Sequence, residues 1–110
     1  MNNYDEQELL NDPNKLSYMN NILRNQQFSE DFLIKTNGYY DSWVCLRSQN
    51  NLSPYFCFRY LYDNKNDSAD GWTDYYDVIR YLNNHNITDK IFIEQEFKRA
   101  MNDREKINEH

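Results

Sequence analysis

The stretch "DFLIKTNGYYDSWVCLRSQNNLSPYFCFRYLY", residues 31–62, decides how the chain is read. Asn37-Gly38 lies between two apolar runs, and Asn-Gly is the strongest short-range hairpin signal because both central residues of a type I′ turn need positive φ. Residues 55–62 are almost wholly aromatic and strand-favouring. They follow a polar connection, "QNNLSP", that ends at Pro54. The expectation is a three-stranded antiparallel meander with strands Phe32–Thr36, Tyr39–Ser48 and Tyr55–Tyr62. A second hairpin folded about Asn51 would set Trp43 opposite Arg59, Cys45 opposite Cys57 and Arg47 opposite Tyr55. On the other face Val44 would oppose Phe58, and Leu46 would oppose Phe56. Both faces would then be apolar, unlike the one-sided alternation of most antiparallel sheets. Either helices cover both faces, or the face edged by Trp43, Arg47, Tyr55 and Arg59 binds a partner, since Trp, Tyr and Arg are the types enriched at binding hot spots.

Outward from this stretch the period changes to 3.6. Towards the N-terminus "YDEQELL" (4–10) is short but helix-compatible. Asp12 can cap and Pro13 can open a helix running to about Gln26, with Leu16, Met19, Ile22 and Leu23 on one face. Towards the C-terminus Tyr75, Val78, Ile79 and Leu82 fall on one face of a helix over 73–84. "HNIT" (85–88) interrupts it, and Thr88 is placed to cap a last helix over 89–107 whose stripe is Ile93, Phe97, Ala100, Met101 and Ile107. The expected fold is therefore α+β in a single domain, residues 1–110: the meander with an N-terminal helix before it and two C-terminal helices after it.

The 110 residues carry a net charge of −6. This disfavours direct contact with nucleic acid, whose phosphates reward basic surfaces. It also disfavours the third use of an aromatic sheet, stacking single-stranded bases. No apolar run approaches the length of a membrane span. The charge is concentrated: residues 1–14 carry Asp5, Glu6, Glu8 and Asp12 without a base, and residues 63–77 carry Asp63, Asp67, Asp70, Asp74 and Asp77 against one lysine. The helices after residue 77 are balanced. Seventeen asparagines fit an AT-rich coding sequence such as those of low-GC bacteria and their phages.

Chemistry-bearing patterns are sparse. Two cysteines and two histidines without CxxC or HxxxH spacing do not make a zinc site, and no cofactor is expected. A Cys–His nucleophile pair would need His85 to reach the sheet. The default is two reduced, packed thiols and no enzyme. "NDSADGWTDYYD" (66–77) has oxygen-bearing residues near calcium-loop spacings, but Asn66 stands at its first position and Asp77 at its twelfth, where a loop of that kind wants a bidentate Glu. The competing expectation is the acidic entrance to a helix.

Together these features suggest a small acidic cytoplasmic protein, in the host cytoplasm if phage-encoded, that inhibits or modulates a larger basic protein of the nucleic-acid-processing kind. Its class character is that of anti-restriction and anti-CRISPR proteins or nuclease-immunity proteins. The acidic residues Asp63, Asp67, Asp70, Asp74 and Asp77 would steer; Trp43, Arg47, Tyr55 and Arg59 would supply short-range affinity. The alternatives are a structural or regulatory subunit that uses the aromatic sheet for homodimerisation or a larger complex, and a weak calcium-binding module at 66–77.

Overall fold

The computed structural model describes residues 3–63 and 73–108, with side chains up to residue 106. The expected meander does not form. Among the described residues there is no strand, and a single bridge between Tyr62 and Thr73 is the whole of the β structure. The fold is all-α, not α+β. Its helices are α1 (Glu6–Leu10), α2 (Pro13–Leu16), α3 (Met19–Asn25), α4 (Glu30–Lys35), α5 (Ser42–Ser48), α6 (Pro54–Phe56) running into a π-helical turn (Cys57–Leu61), α7 (Tyr75–Asn84) and α8 (Lys90–Asn108).

Each expected strand is a helix with its own start signal. The first lies in α4, where the Ser29 hydroxyl accepts the Phe32 amide at 3.2 Å. The second becomes α5: the Asp41 carbonyl accepts the Val44 and Cys45 amides at 3.0 and 3.2 Å. The third becomes α6 and the π turn, with Pro54 in the first helical position and the Ser53 hydroxyl accepting the Phe56 amide at 3.1 Å. Gly38 does take a positive φ, +103°, but the chain turns there between two helices. Burial explains the difference. Val44, Cys45 and Leu46 are buried in succession, as are Phe56, Cys57 and Phe58. A helix enclosed on several sides buries consecutive residues, and β propensity yields to that packing. The cross-strand pairs Trp43–Arg59, Cys45–Cys57 and Arg47–Tyr55 disappear with the sheet.

The helical expectations hold in outline. Asp12 caps α2 through its Oδ1, which accepts the Asn14 and Lys15 amides. The helix expected from 13 to 26 is broken at Ser17-Tyr18 into α2 and α3. Asp89, rather than Thr88, caps α8 by accepting the Ile91 and Phe92 amides.

The first half is a tandem repeat in structure. The N-cap residues Asp5, Ser29 and Ser53 are evenly spaced along the chain. At the matching position in each unit stand Leu9, Leu33 and Cys57, all buried; Leu16 corresponds to Tyr40 and Ile22 to Leu46, again buried. The joints repeat too. Glu6 accepts the amide and hydroxyl of Ser29, and Glu30 accepts those of Ser53, each across 23 residues. Stacking such units buries what one unit cannot bury alone. α5 packs on both α3 and α7, and α8 lies across α6 and the π turn.

Gln49 pins two of these units together from inside the core. It is 1% exposed. Its Nε2 donates to the Leu23 and Gln26 carbonyls at 2.9 Å each, closing the end of α3, and its Oε1 accepts the Phe28 amide at 2.8 Å. Tyr81 of α7 reaches the same point: its hydroxyl donates to the Gln49 carbonyl at 2.6 Å and accepts the Leu52 amide at 3.2 Å.

Candidate functional site

α7 and α8 form a hairpin whose connection passes through Asn86, at φ +67°, a left-handed conformation that asparagine tolerates. α7 starts with a reciprocal capping box: Asp74 accepts the Asp77 amide at 2.8 Å and Asp77 accepts the Asp74 amide at 3.1 Å. Its inner face, Val78, Tyr81 and Leu82, joins the core. Near the start of α7 a cluster of rings seats both helices on the π turn. Tyr75 and Phe97 meet edge-on with centroids 5.2 Å apart, and both contact Phe58, at 5.6 and 5.0 Å. Arg104 of α8 closes the π turn by donating to the Phe58 and Tyr62 carbonyls at 3.1 and 2.8 Å.

Beyond the rings, α7 and α8 leave a cleft of about 630 Å³ between them. Tyr75, Tyr76 and Ile79 line it from α7 and Ile93 from α8, with Asn83, Thr88, Lys90 and Glu94 around the edge. Tyr76 is 74% exposed, and Ile91, next to the cleft on α8, is 73% exposed. Burial, and after it the charge of Glu94, raises the Tyr75 phenol above its ordinary range, so the ring stays neutral at the cleft. Large apolar side chains held in water around a cleft mark an interaction surface more often than isolated exposed ones do.

The residues expected to bind a partner are divided among several places. Trp43 is half-buried and lies between two guanidinium groups, Arg47 at 5.1 Å and Arg24 at 5.8 Å from its ring. Tyr55 and Arg59 belong to a second cluster, against α8. There the Tyr55 hydroxyl donates to Asp103 at 2.6 Å, Arg99 stacks 3.9 Å over its ring, and Arg59 Nε donates to the Tyr60 hydroxyl at 3.2 Å. Burial and the Asp103 contact raise the Tyr55 phenol, while that same hydrogen bond lowers the Asp103 carboxyl. Of the acidic residues, Asp74 and Asp77 make the capping box, and Asp77 also lies 3.8 Å from Arg80. Asp63 donates its amide to the Thr73 carbonyl at 2.8 Å. Asp67 and Asp70 lie outside the described residues, as does most of the 66–77 loop considered for calcium.

The cleft residues Tyr76, Ile79 and Ile93 were not singled out together from sequence. The signal was present in "DYYD" (74–77), where Tyr76 sits off the face that Tyr75, Val78, Ile79 and Leu82 form. For nucleophilic chemistry the geometry is unfavourable. Cys45 and Cys57 are buried on α5 and the π turn; burial pushes the Cys45 thiol up to about 12 and raises Cys57 as well. His85 stacks on Tyr81 at 4.1 Å, with Nδ1 2.8 Å from the Tyr81 carbonyl. No group of three or more His, Cys, Asp and Glu among the described residues is arranged to hold a metal. No described helix is long and apolar enough to cross a membrane. Comparison with protein-family models, curated proteins and solved structures finds no match.

Proposed function

We propose that this chain acts by binding rather than by catalysis, as a cytoplasmic modulator that engages a larger basic protein through the α7–α8 cleft. The observation that carries this reading is the cleft itself, a largely apolar recess with Tyr76 at 74% and Ile91 at 73% exposure beside it. Such a surface gains by being covered, and a tyrosine at its edge supplies a rigid contact with a polar tip. The charge supports a basic partner. The chain carries −6, and the acidic residues of 63–77 lead directly into the first turn of α7. Acidic groups of this kind speed encounter with a basic surface over distances that salt screens. A partner that processes nucleic acid has a basic surface of the required kind.

The test is affinity capture from the source cells or their host, followed by binding kinetics with the captured protein. Raised salt should slow association more than it speeds dissociation. Tyr76→Asp, at a position too exposed to disturb the core, should abolish capture. A partner retained equally by wild type and Tyr76→Asp would remove the cleft from the function.

A further inference from the structure

We infer that Arg24, Trp43 and Arg47 form a second recognition surface, which takes a short acidic segment of another protein. It is separate from the α7–α8 cleft and does not rest on the reading of that cleft. The surface lies on α3 and α5, which pack against each other. Trp43 is partly buried against the core, and the guanidinium groups of Arg47 and Arg24 stand over its ring, 5.1 and 5.8 Å from the centroid. Both arginines are exposed. Attraction to the ring restricts where each guanidinium goes while leaving N–H donors to offer, and such pre-organisation lowers the cost of binding.

What these donors lack identifies the ligand. Lys35, Arg80, Lys98 and Arg99 each meet a carboxylate at 2.9–3.9 Å; among the described residues neither Arg24 nor Arg47 does. Arg47 has the ring as its contact, and Arg24 adds only Asn21 Oδ1 at 3.5 Å. Neither α3 (MNNILRN) nor α5 (SWVCLRS) carries an acid. Asp41, just before α5, is held by Asn20, whose side-chain amide donates to it at 3.3 Å. On α7, which also packs on α5, Asp77 and Arg80 are paired with each other. A chain of charge −6 thus presents two unmatched guanidinium groups around one ring. The fork of an arginine matches a carboxylate in bidentate geometry, and Arg and Trp are hot-spot types. The small extent of the patch favours a peptide over nucleic acid. A polyphosphate gains by neutralisation along a run of cations, whereas the other polar side chains of α3 are the neutral amides of Asn20, Asn21 and Asn25. Two neighbouring carboxylates of a peptide match two guanidinium groups.

The test titrates isotopically labelled protein with hexaglutamate, hexaglutamine and hexathymidylate, and follows the arginine Nε–H and tryptophan indole N–H signals by NMR. Hexaglutamate should shift the Arg24, Arg47 and Trp43 signals saturably, and bind at least about ten-fold more tightly than either of the other two. Arg24→Gln and Arg47→Gln, both at exposed positions, should together lower that affinity about ten-fold. Arg47→Lys should recover only part of the loss from Arg47→Gln, because an ammonium keeps the charge without the planar fork. Hexaglutamate binding that leaves these three signals unmoved, or that is indifferent to both Gln variants, overturns the inference. Equal or tighter binding of hexathymidylate would make the ligand a phosphate and overturn it too. Self-association that Arg47→Gln removes would identify acidic residues of a second copy as the occupant, and so exclude a separate partner. The cleft reading keeps its own test in Tyr76→Asp, so either can fail without the other.

Discussion

Replacing Gln49 by leucine tests the packing logic most severely. The substitution puts an apolar side chain of similar size in a site 1% exposed, so the cavity term is small. What it removes are three hydrogen bonds to backbone groups: those to the Leu23 and Gln26 carbonyls and that from the Phe28 amide. Each partner is a backbone group at the end of α3 or the start of the next unit. The intrahelical ladder does not reach these groups. An orphaned buried backbone group costs about 1–3 kcal/mol, and two of the three lie partly open to water, so about 3 kcal/mol is expected in total. Against a stability of about 5–15 kcal/mol this is a large fraction. Thermal and urea denaturation of Gln49→Leu should show it, with a melting temperature lower by roughly 12–20 °C. Gln49→Glu should be no better near neutral pH, because a carboxylate cannot donate to either carbonyl. A loss below about 1 kcal/mol for Gln49→Leu, less than one orphaned group is worth, would refute the claim that Gln49 holds the units together.

Ser53→Ala should cost about 1 kcal/mol, because the hydroxyl that caps α6 also donates to Glu30; chemical denaturation measures it. Gly38→Ala should destabilise by about 1 kcal/mol although nothing crowds the new methyl group, since φ is +103° there. Stability should fall from about pH 9 towards pH 12. The Cys45 thiol and the Tyr81 phenol, ordinarily near 9 and 10, are each pushed up to about 12 in the folded protein by burial, so the unfolded chain ionises first as pH rises. Cys57 acts in the same direction. A pH series of melting curves reads this, and rising stability over that range would contradict it.

The C-terminal third was legible because its apolar residues recur at 3.6 spacing in long runs. Val78 and Leu82 of α7, and Ile93 and Ala100 of α8, are buried where that spacing puts them. The middle third was not legible in the same way. Its helices are too short for a period to emerge: α5 has 7 residues and α6 only 3. Helices of that length hold by capping and tertiary packing rather than by propensity. The caps were visible in sequence as Ser29-Glu30-Asp31 and Ser53-Pro54, but the aromatic, β-branched and Asn-Gly signals spoke for strands. The repeat was hidden because corresponding buried positions differ in type, with Leu9 and Leu33 matched by Cys57, and Leu16 by Tyr40. The cleft was partly legible. Tyr75 and Ile79 fall on the one apolar face that the spacing marks, and both are partly buried against the core, the Tyr75 ring meeting Phe97 of α8 edge-on. Trp43, Arg47, Tyr55 and Arg59 do form arginine–aromatic clusters, with partners set by helix packing instead of strand pairing.

The most direct measurement of the central claim is amide hydrogen exchange on the protein alone and in complex with the captured partner. Binding in the cleft predicts added protection in α7 and in the first turns of α8, around Tyr76, Ile79 and Ile93, with α1 to α5 unchanged. Protection confined to the Trp43 and Arg47 surface, with residues 75–94 exchanging as in the free protein, would contradict it.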